Sequence, residues 1–495
     1  MAVKKMRLDP SDVGWRLGDA HEPRGNDLWV PFDRTAGVIG PQGSGKTLDV
    51  LTPALLDAPG AALVTLTKPE DLLLSLTERS RDDRPCVVLD PFGMAEGVVD
   101  ELVWDPIDGC VSSRIAERRA KAFAAGTVKG AMTEGSGDDA ARFYAEESAK
   151  VLKCFFHAAA LTGRNLDDVL GWVANPTGTT EPEEILSQHP HAAKFWNGLL
   201  HRALYGDDRT AGNTITTMQQ AMALFFQEDT RRRCVPGPNR PVTNLLDVIR
   251  RNGTIYLLGR EDPYASASPM MTAVAEQVLD TGLLLANQSP WGGRLCPPLL
   301  VVLDEMPSTA PLPTLRTRMA NERALGLSFI WAAQVRAQLD AIFGEKEAEA
   351  VIGLTNVLTI FGGSKDGNFN QQISDLLDTV RVHRTSWQSG TMAGRTISGD
   401  DIPILTSGEI RRLPEGQALV IAENGKPIIV KLHRCIEGHR GRQMLADQKR
   451  LRGQLSESQR LVVTPEVAHE AALVEARRRG LTPDTHVETH MERTF

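Results

Sequence analysis

Residues 36–47 read Ala-Gly-Val-Ile-Gly-Pro-Gln-Gly-Ser-Gly-Lys-Thr, a short apolar run that passes into a glycine-rich loop. From Gly40 to Thr47 this loop matches the pattern G-x-x-x-x-G-K-[ST] in full, and the apolar spacing that follows predicts a helix. Glycines at these positions let successive backbone N–H groups point at a phosphate, and the positive end of the helix dipole adds to the attraction. The sequence therefore predicts a nucleotide-phosphate site formed by Gly40, Gln42, Gly43, Ser44, Gly45, Lys46 and Thr47.

Two side chains of this loop predict further chemistry. A lysine at the position of Lys46 lies between the β- and γ-phosphates, and a hydroxyl at the position of Thr47 completes the coordination of Mg²⁺. Residues 67–70 read Thr-Lys-Pro-Glu, and Glu70 stands where GTPases carry the aspartate that reads guanine. This four-residue segment also follows the second predicted strand, whereas the segment of GTPases that reads guanine follows a late strand. ATP and Mg²⁺ are therefore the predicted cofactors.

A phosphate loop also needs a carboxylate at the end of a neighbouring strand. One apolar run ends at Asp90, which is followed by a proline, and another, residues 299–303, ends at Asp304 and Glu305. The second run is favoured because Asp304 can hold the metal through water while Glu305 orients and deprotonates the attacking water. We interpret Asp90 as part of a turn at a strand end.

Two later residues are candidates for catalysis. Residues 328–332 predict a strand, and Gln334 follows it. If this strand lies beside the strand that ends at Asp304 and Glu305, Gln334 reaches the γ-phosphate or the attacking water. The alternative is a glutamine that caps a turn. Arg323 ends the preceding helical segment, where an arginine is either a solvated helix-end cation or a finger that serves a neighbouring subunit's nucleotide. The predicted catalytic residues are Lys46, Glu305, Gln334 and Arg323.

The composition limits the class of protein. The 495 residues include 55 Lys+Arg and 63 Asp+Glu, a formal net charge of −8, with 41% hydrophobic and 24% charged residues. This balance is typical of a soluble globular protein and excludes wholesale disorder, and any contact with nucleic acid needs a local basic patch. No run approaches the ~18 apolar residues of a membrane span. The six cysteines form no C-x-x-C pair, so we expect reduced thiols rather than disulfides or a zinc site.

Short apolar runs recur along the chain and are bounded by Gly, Pro or Asp. Continuous apolar runs of this length are typical of parallel strands that are buried on both faces. Helical patterns separate most of them, so the sequence predicts a doubly wound α/β sheet. The runs lie at residues 36–39, 61–66, 86–89, 254–258, 299–303, 328–332, 356–361, 418–422 and 428–432.

One long stretch breaks this alternation. Between residues 111 and 246 the pattern is helical, with loops rich in Gly, Pro, Ser and Asp and no clear strand. After about residue 438 the chain becomes polar and helical. We predict a discontinuous nucleotide-binding domain at residues 1–110 and 247–438, an all-α inserted domain at residues 111–246 and a polar helical tail at residues 439–495.

Together these motifs resemble those of the type IV coupling proteins, the TraG/TraD-like ATPases of conjugation and type IV secretion. Residues 40–47 are similar to their Walker A motif, and residues 300–305 to their Walker B motif. Residues 323–326, Arg-Ala-Leu-Gly, resemble their Arg-x-x-Gly segment. Residues 334–339, Gln-Val-Arg-Ala-Gln-Leu, followed by Phe-Gly at 343–344, resemble their Q-x-x-x-Q-L…Y-G box. The resemblance covers most of the chain.

The resemblance implies a RecA-like P-loop NTPase motor domain, of α/β class, with an all-α domain inserted between the two Walker motifs. It also implies a homo-hexameric ring and ATP-driven handling of single- or double-stranded DNA, or of protein-linked DNA, at a secretion channel. Relaxosome or secretion-channel proteins are the implied partners. The alternatives are an FtsK/HerA-like cytoplasmic DNA translocase and an ATP-dependent adaptor that recruits cargo to a secretion system.

Most members of this family begin with transmembrane helices, and the residues before the first predicted strand contain none. We therefore expect membrane association through a partner protein or through an N-terminal anchor missing from this sequence. The expected location is the cytoplasm, with the cytoplasmic face of the inner membrane as the alternative.

Overall fold

The predicted apolar runs belong to one large sheet. The computed structural model describes residues 9–128, 137–259, 266–388 and 394–462. Its strands are β1 (Gly14–Glu22), β2 (Asp27–Pro31), β3 (Ala36–Ile39), β4 (Ala62–Leu66), β5 (Cys86–Leu89), β6 (Asp100–Glu101), β7 (Thr254–Leu258), β8 (Leu299–Leu303), β9 (Leu327–Ala333), β10 (Val357–Phe361), β11 (Thr379–Gln388), β12 (Gly394–Pro403), β13 (Gln417–Ala422) and β14 (Ile428–Lys431). Within the described residues, a 12-stranded sheet has the order β2-β1-β14-β13-β10-β3-β9-β8-β4-β7-β5-β6.

The centre of this sheet is parallel, from β10 to β6. Successive residues of β8 pack into two different hydrophobic cores: Leu299, Val301 and Leu303 face one core, and Leu300 and Val302 face the other. Because both faces are covered, the run contains no polar alternation. Parallel strands end at the same edge of the sheet, so the loops that follow β3, β4, β8 and β9 lie side by side.

Two of the predicted strands run in the opposite direction. β13 pairs antiparallel with β10, and β14 pairs antiparallel with β13. The expectation of parallel strands is therefore wrong at this end of the sheet. The connection between β13 and β14 contains Asn424 and Gly425, a pair that favours tight hairpin turns. β1 and β2, which no continuous apolar run indicates, extend the sheet by further antiparallel pairing.

Helices cover both faces of the sheet. They are α1 (Thr52–Asp57), α2 (Pro69–Arg79), α3 (Ser113–Ala125), α4 (Gly137–Thr162), α5 (Leu166–Ala174), α6 (Glu181–Gln188), α7 (Trp196–Tyr205), α8 (Asp208–Met222), α9 (Glu228–Cys234), α10 (Leu245–Arg250), α11 (Ser268–Gln288), α12 (Met306–Thr309), α13 (Leu315–Asn321), α14 (Arg336–Phe343), α15 (Glu345–Gly353), α16 (Gly367–Leu376), α17 (Ser407–Arg411) and α18 (Gly438–Val462). None of these helices is long and apolar enough to span a membrane.

The segment between β6 and β7 is helical. In the described residues of 111–246, α3 to α9 and part of α10 occur, and no strand does. Buried side chains of α4 belong to the same hydrophobic core as those of β8 and β9, and α3 packs against α11. The predicted α/β fold with an all-α insertion is thus confirmed. The limits of residues 111–246 as a domain remain a prediction.

Two further features lie outside the main sheet. β11 and β12 pair with each other as a separate antiparallel hairpin, which no apolar run indicates. The C-terminal helix α18 packs against α2, where Gln448 Nε2 donates a hydrogen bond of 2.9 Å to the carbonyl oxygen of Glu70. Residues 463–495 of the predicted tail lie outside the described residues.

A buried arginine joins three helices of the fold. The side chain of Arg318, on α13, is 3% exposed and makes ion pairs of 2.7 Å with Glu276, 2.6 Å with Asp280 and 3.0 Å with Glu322. Asp280 also accepts two hydrogen bonds of 2.8 Å from Arg118 on α3. This network connects α11 and α13 to α3, the first helix of the insertion.

Arg318→Ala should therefore destabilise the protein strongly, because it leaves the buried carboxylate of Glu276 without its cation. Removing one partner of a buried ion pair costs about 3–5 kcal/mol of unfolding free energy. The control is Arg316→Ala on the same helix, whose exposed pair with Glu347 should contribute less than ~1 kcal/mol. Urea unfolding of the two variants tests this difference, and equal midpoints would contradict the structural role of Arg318.

Candidate active site

The phosphate loop links β3 to a helix that begins as a π-helical turn at Thr47–Leu51. Gly43 and Gly45 adopt the positive φ angles of +77° and +100°, which favour glycine. No atom lies within 4 Å of the position that a Cβ of Gly43 would take, so the backbone there is open to a ligand. Ser44 Oγ is buried and has no hydrogen-bond partner among the described residues. These features fit a bound nucleotide phosphate.

Lys46 lies inside the curve of the loop. Its side chain is buried, and Nζ donates hydrogen bonds to the carbonyl oxygens of Gly40, at 2.7 Å, and Pro41, at 3.1 Å. Burial lowers the pKa of Lys46, while the nearby carboxylates of Glu305 and Asp304 oppose that shift. The ammonium group is therefore held at the loop and near the two strand-end acids.

Thr47 and Asp304 meet across the cavity. Thr47 Oγ1 donates a hydrogen bond of 2.9 Å to Asp304 Oδ2. The carbonyl oxygen of Asp304 accepts hydrogen bonds from Thr65 Oγ1, at 3.0 Å, and Thr309 Oγ1, at 2.8 Å, which fix the end of β8. Burial raises the pKa of Asp304 to about 6, although the bond from Thr47 lowers it. The two oxygen ligands proposed for Mg²⁺ are thus adjacent.

Glu305 has a strained backbone and a fixed side chain. Its φ of 50° and ψ of 42° place it in the left-handed region, which is uncommon for a residue with a Cβ. Gln334 Nε2 donates a hydrogen bond of 2.9 Å to Glu305 Oε1. Gln338 Oε1 in turn accepts a hydrogen bond of 2.9 Å from the backbone N–H of Gln334. The second glutamine of the Q-x-x-x-Q pattern, in the first turn of α14, therefore holds the backbone of the first, which lies just before that helix.

Arg323 is not brought to this site. It lies just before β9, at the edge of the sheet opposite to the phosphate loop, and Nη1 donates a hydrogen bond of 2.8 Å to Asn356 Oδ1. Asn356 precedes β10 at that same edge. The geometry therefore separates Arg323 from the nucleotide site of its own chain.

Asp90, the other acid that follows a strand, also lies away from the phosphate loop. Asp90 follows β5, which β4 and β7 separate from β8 in the sheet. Its Oδ2 accepts a hydrogen bond of 2.6 Å from the backbone N–H of Ala95, as expected for a turn at a strand end.

A cavity of about 700 Å³ contains the residues of the loop and the two acids. Its walls include residues that sequence reasoning did not single out, among them Glu415 and Arg434. Arg434 Nε pairs with Asp49 Oδ1 at 3.1 Å, and a second guanidinium nitrogen pairs with Glu415. This arrangement ties the segment after β14 to the helix that follows the phosphate loop. Further lining residues are Lys68, Asp71, Ser266, Ser268 and Met271.

Comparisons with known proteins bear on the sequence of one segment and on the fold of the chain. A family model described as the TraM recognition site of TraD and TraG matches residues 298–415. The bacterial conjugative coupling protein TrwBdeltaN70, in an unbound form, has a similar structure, with a TM-score of 0.60 and 19% sequence identity over 84% of this chain and 88% of that chain. No curated protein sequence matches the chain significantly.

The chain has the fold of a type IV coupling protein. Two further structures of the coupling protein TrwB match it. The complex with the non-hydrolysable ATP analogue ADPNP has a TM-score of 0.58 and 19% identity, and covers 83% of this chain and 87% of that chain. The complex with ADP and Mg²⁺ has a TM-score of 0.57 and 20% identity, with coverages of 83% and 88%. The resemblance predicted from the motifs is confirmed by sequence in residues 298–415 and by fold in most of the chain.

Asp304→Asn should stabilise the nucleotide-free protein, and more so at high pH. Below the unfolded pKa of ~3.9 the carboxyl group is neutral in both states. As the pH rises toward the folded pKa of about 6, the unfolded state ionises first. Wild-type stability then falls by up to about 3 kcal/mol, and the asparagine variant avoids this loss.

Thermal unfolding at pH 4 and pH 8 measures this effect. The Tm of Asp304→Asn should exceed that of the wild type at pH 8, and the difference should shrink toward pH 4. A difference that does not change with pH would contradict the raised pKa of Asp304.

Proposed function

We propose that this chain is an ATP-hydrolysing motor that couples DNA, or protein-linked DNA, to a type IV secretion or conjugation channel. One observation carries the enzymatic part of the proposal. Lys46, Thr47, Asp304, Glu305 and Gln334, which are spread over nearly 300 residues of sequence, line a single cavity around the phosphate loop. These groups are the cation, the metal ligands, the base and the amide that phosphoryl transfer to water requires.

Each residue has a role in hydrolysis. Lys46 and the N–H groups of the loop hold the β- and γ-phosphates, and Thr47 and Asp304 would hold Mg²⁺. When bound, this ion would supply charge that stabilises the transferring phosphoryl group. Glu305 positions the attacking water and accepts its proton. Gln334 donates a hydrogen bond to one carboxylate oxygen of Glu305, so the other oxygen can accept a hydrogen bond from the attacking water. The amide of Gln334 also lies where it can contact the γ-phosphate, so its position depends on whether that phosphate is present.

The active assembly is a homo-hexameric ring. The position of Arg323 supports this part of the proposal, because it is at the opposite edge of the sheet from the cavity of its own chain. A finger at that edge acts only on the nucleotide of a neighbouring subunit. Each interface of the ring then combines one phosphate loop with the arginine of the next subunit.

The DNA-handling part of the proposal is supported by the comparisons. The matched structures are those of a conjugative coupling protein. The family model that matches residues 298–415 describes a TraM recognition site, so relaxosome proteins are the proposed partners. A cytoplasmic location at the inner membrane, with attachment through a partner or an anchor, belongs to the same proposal.

Steady-state ATPase assays with single- and double-stranded DNA test the function. We expect DNA to stimulate the rate at low salt, because phosphate contacts weaken steeply as salt rises. Glu305→Gln should reduce kcat by about 10²–10⁴-fold, the usual contribution of a general base, while ATP still binds. The matched control is Glu349→Gln, an exposed residue of α15 that should leave the rate unchanged.

A slow rate that is indifferent to DNA would contradict the motor and favour a cargo-recruiting adaptor. DNA stimulation by this chain without any response to relaxosome proteins would favour an FtsK/HerA-like translocase instead.

Arg323→Ala should reduce the ATPase rate of the assembled ring by about 10³–10⁵-fold, which is the usual effect of a missing finger. Because the finger acts on the neighbouring subunit, mixing this variant with Lys46→Ala subunits should restore part of the activity. In such mixed rings, some interfaces combine an intact Lys46 with an intact Arg323. Mixtures that stay as inactive as either variant alone would contradict the assignment.

A further inference from the structure

Asn356 lies at the edge of the sheet opposite to the phosphate loop, where β3 and β10 begin and β13 ends. Its backbone N–H donates a hydrogen bond of 2.9 Å to the carbonyl oxygen of Thr35, which precedes β3. Its carbonyl oxygen accepts a hydrogen bond of 3.0 Å from the backbone N–H of Glu423, which follows β13. The backbone of Asn356 is therefore held from two sides.

The side-chain amide of Asn356 has one orientation that satisfies all of its neighbours. Oδ1 accepts hydrogen bonds from Arg323 Nη1, at 2.8 Å, and from the backbone N–H of Thr35, at 3.0 Å. Nδ2 donates a hydrogen bond of 2.8 Å to Glu423 Oε1. The two groups at Oδ1 can only donate, and an ionised carboxylate can only accept, so a rotated amide would lose all three bonds. Arg323 is thus given a fixed acceptor.

This contact leaves the charge of Arg323 uncompensated. Among the described residues, Arg323 has no carboxylate within ion-pair distance, and its Nε and Nη2 make no hydrogen bond. Arg34, at the same edge, differs because its guanidinium pairs with Asp33 and with Glu423, at 3.0 Å each. A guanidinium that is held by a neutral amide keeps its charge and its remaining N–H donors for a phosphate.

We propose that Asn356 is a positioning residue for the arginine finger: it aims Arg323 at the nucleotide of the neighbouring subunit without neutralising its charge, and Glu423 fixes the amide that does so. This inference rests on the proposed function, because it needs Arg323 to act across a subunit interface. A free arginine side chain samples many rotamers. Holding it in place beforehand lowers the entropic cost of reaching the transition state.

Subunit mixing separates this role from a purely structural one. Because a displacement of about 1 Å can cost 10²-fold in rate, Asn356→Ala should lower the kcat of the assembled ring about 10²-fold. Rings mixed from Asn356→Ala and Lys46→Ala subunits should recover part of the rate, because some interfaces then combine an intact phosphate loop with a correctly held finger. Rings mixed from Asn356→Ala and Arg323→Ala subunits should recover none, because every finger is then absent or misplaced.

Further variants control for effects on folding. Asn321→Ala removes an exposed asparagine two residues before Arg323 and should keep the wild-type rate. Glu423→Ala leaves the bond between Asn356 and Thr35 in place and should lower kcat about 10-fold, the usual effect of losing a hydrogen bond to a charged group. Glu423→Gln keeps an acceptor for Nδ2 and should restore most of the rate. If Asn356→Ala does not fold, the Glu423→Ala variant is used in the same mixing experiment.

The outcomes distinguish this inference from the proposed function. Suppose that Arg323→Ala rings are inactive. Asn356→Ala rings with the wild-type rate, or with a rate that Arg323→Ala subunits restore and Lys46→Ala subunits do not, would then overturn the positioning role alone. Arg323→Ala rings with the wild-type rate would instead overturn the proposed finger, and this inference with it.

Discussion

The parallel pairing of β3, β9 and β8 is the constraint on which the site depends. β9 lies between the strand that leads into the phosphate loop and the strand that ends in the acids. Because the three strands share one direction, Lys46, Gln334 and Glu305 emerge at the same edge and line one cavity. The double burial of β8 and β9 fixes their register, since a shift by one residue would exchange the side chains of the two cores.

The parallel pairing also places the proposed arginine finger and the other proposed catalytic residues at opposite edges of the sheet. Arg323 begins the turn into β9, whereas Gln334 follows its end, so the length of one strand lies between them. The buried Arg318 pairs with Glu322, the residue before Arg323, and through Asp280 with Arg118 of the insertion. The position of the proposed finger is therefore connected by ion pairs to the all-α insertion.

Much of this arrangement is predictable from the sequence because it depends on local patterns. The phosphate loop and Asp304 and Glu305 follow buried strands, and the apolar runs of those strands are visible without a structure. The contact between Gln334 and Glu305 follows from the adjacency of two parallel strands. Asp71, Glu415 and Arg434 could not be predicted in this way, because they reach the cavity from separate elements. The antiparallel direction of β13 and β14 could not be predicted either, since a buried apolar run has the same composition in a parallel and in an antiparallel strand.

In the proposed ring, ATP is held between subunits, by the phosphate loop of one and the arginine of the next. Electron cryo-microscopy of Glu305→Gln with ATP, Mg²⁺ and DNA tests this arrangement, because this variant should bind ATP and hydrolyse it slowly. We expect a closed ring in which Arg323 of the partner subunit lies within about 3 Å of the γ-phosphate, a normal hydrogen-bond distance. Single subunits, or rings in which Arg323 keeps its bond to Asn356 while ATP faces solvent, would contradict it.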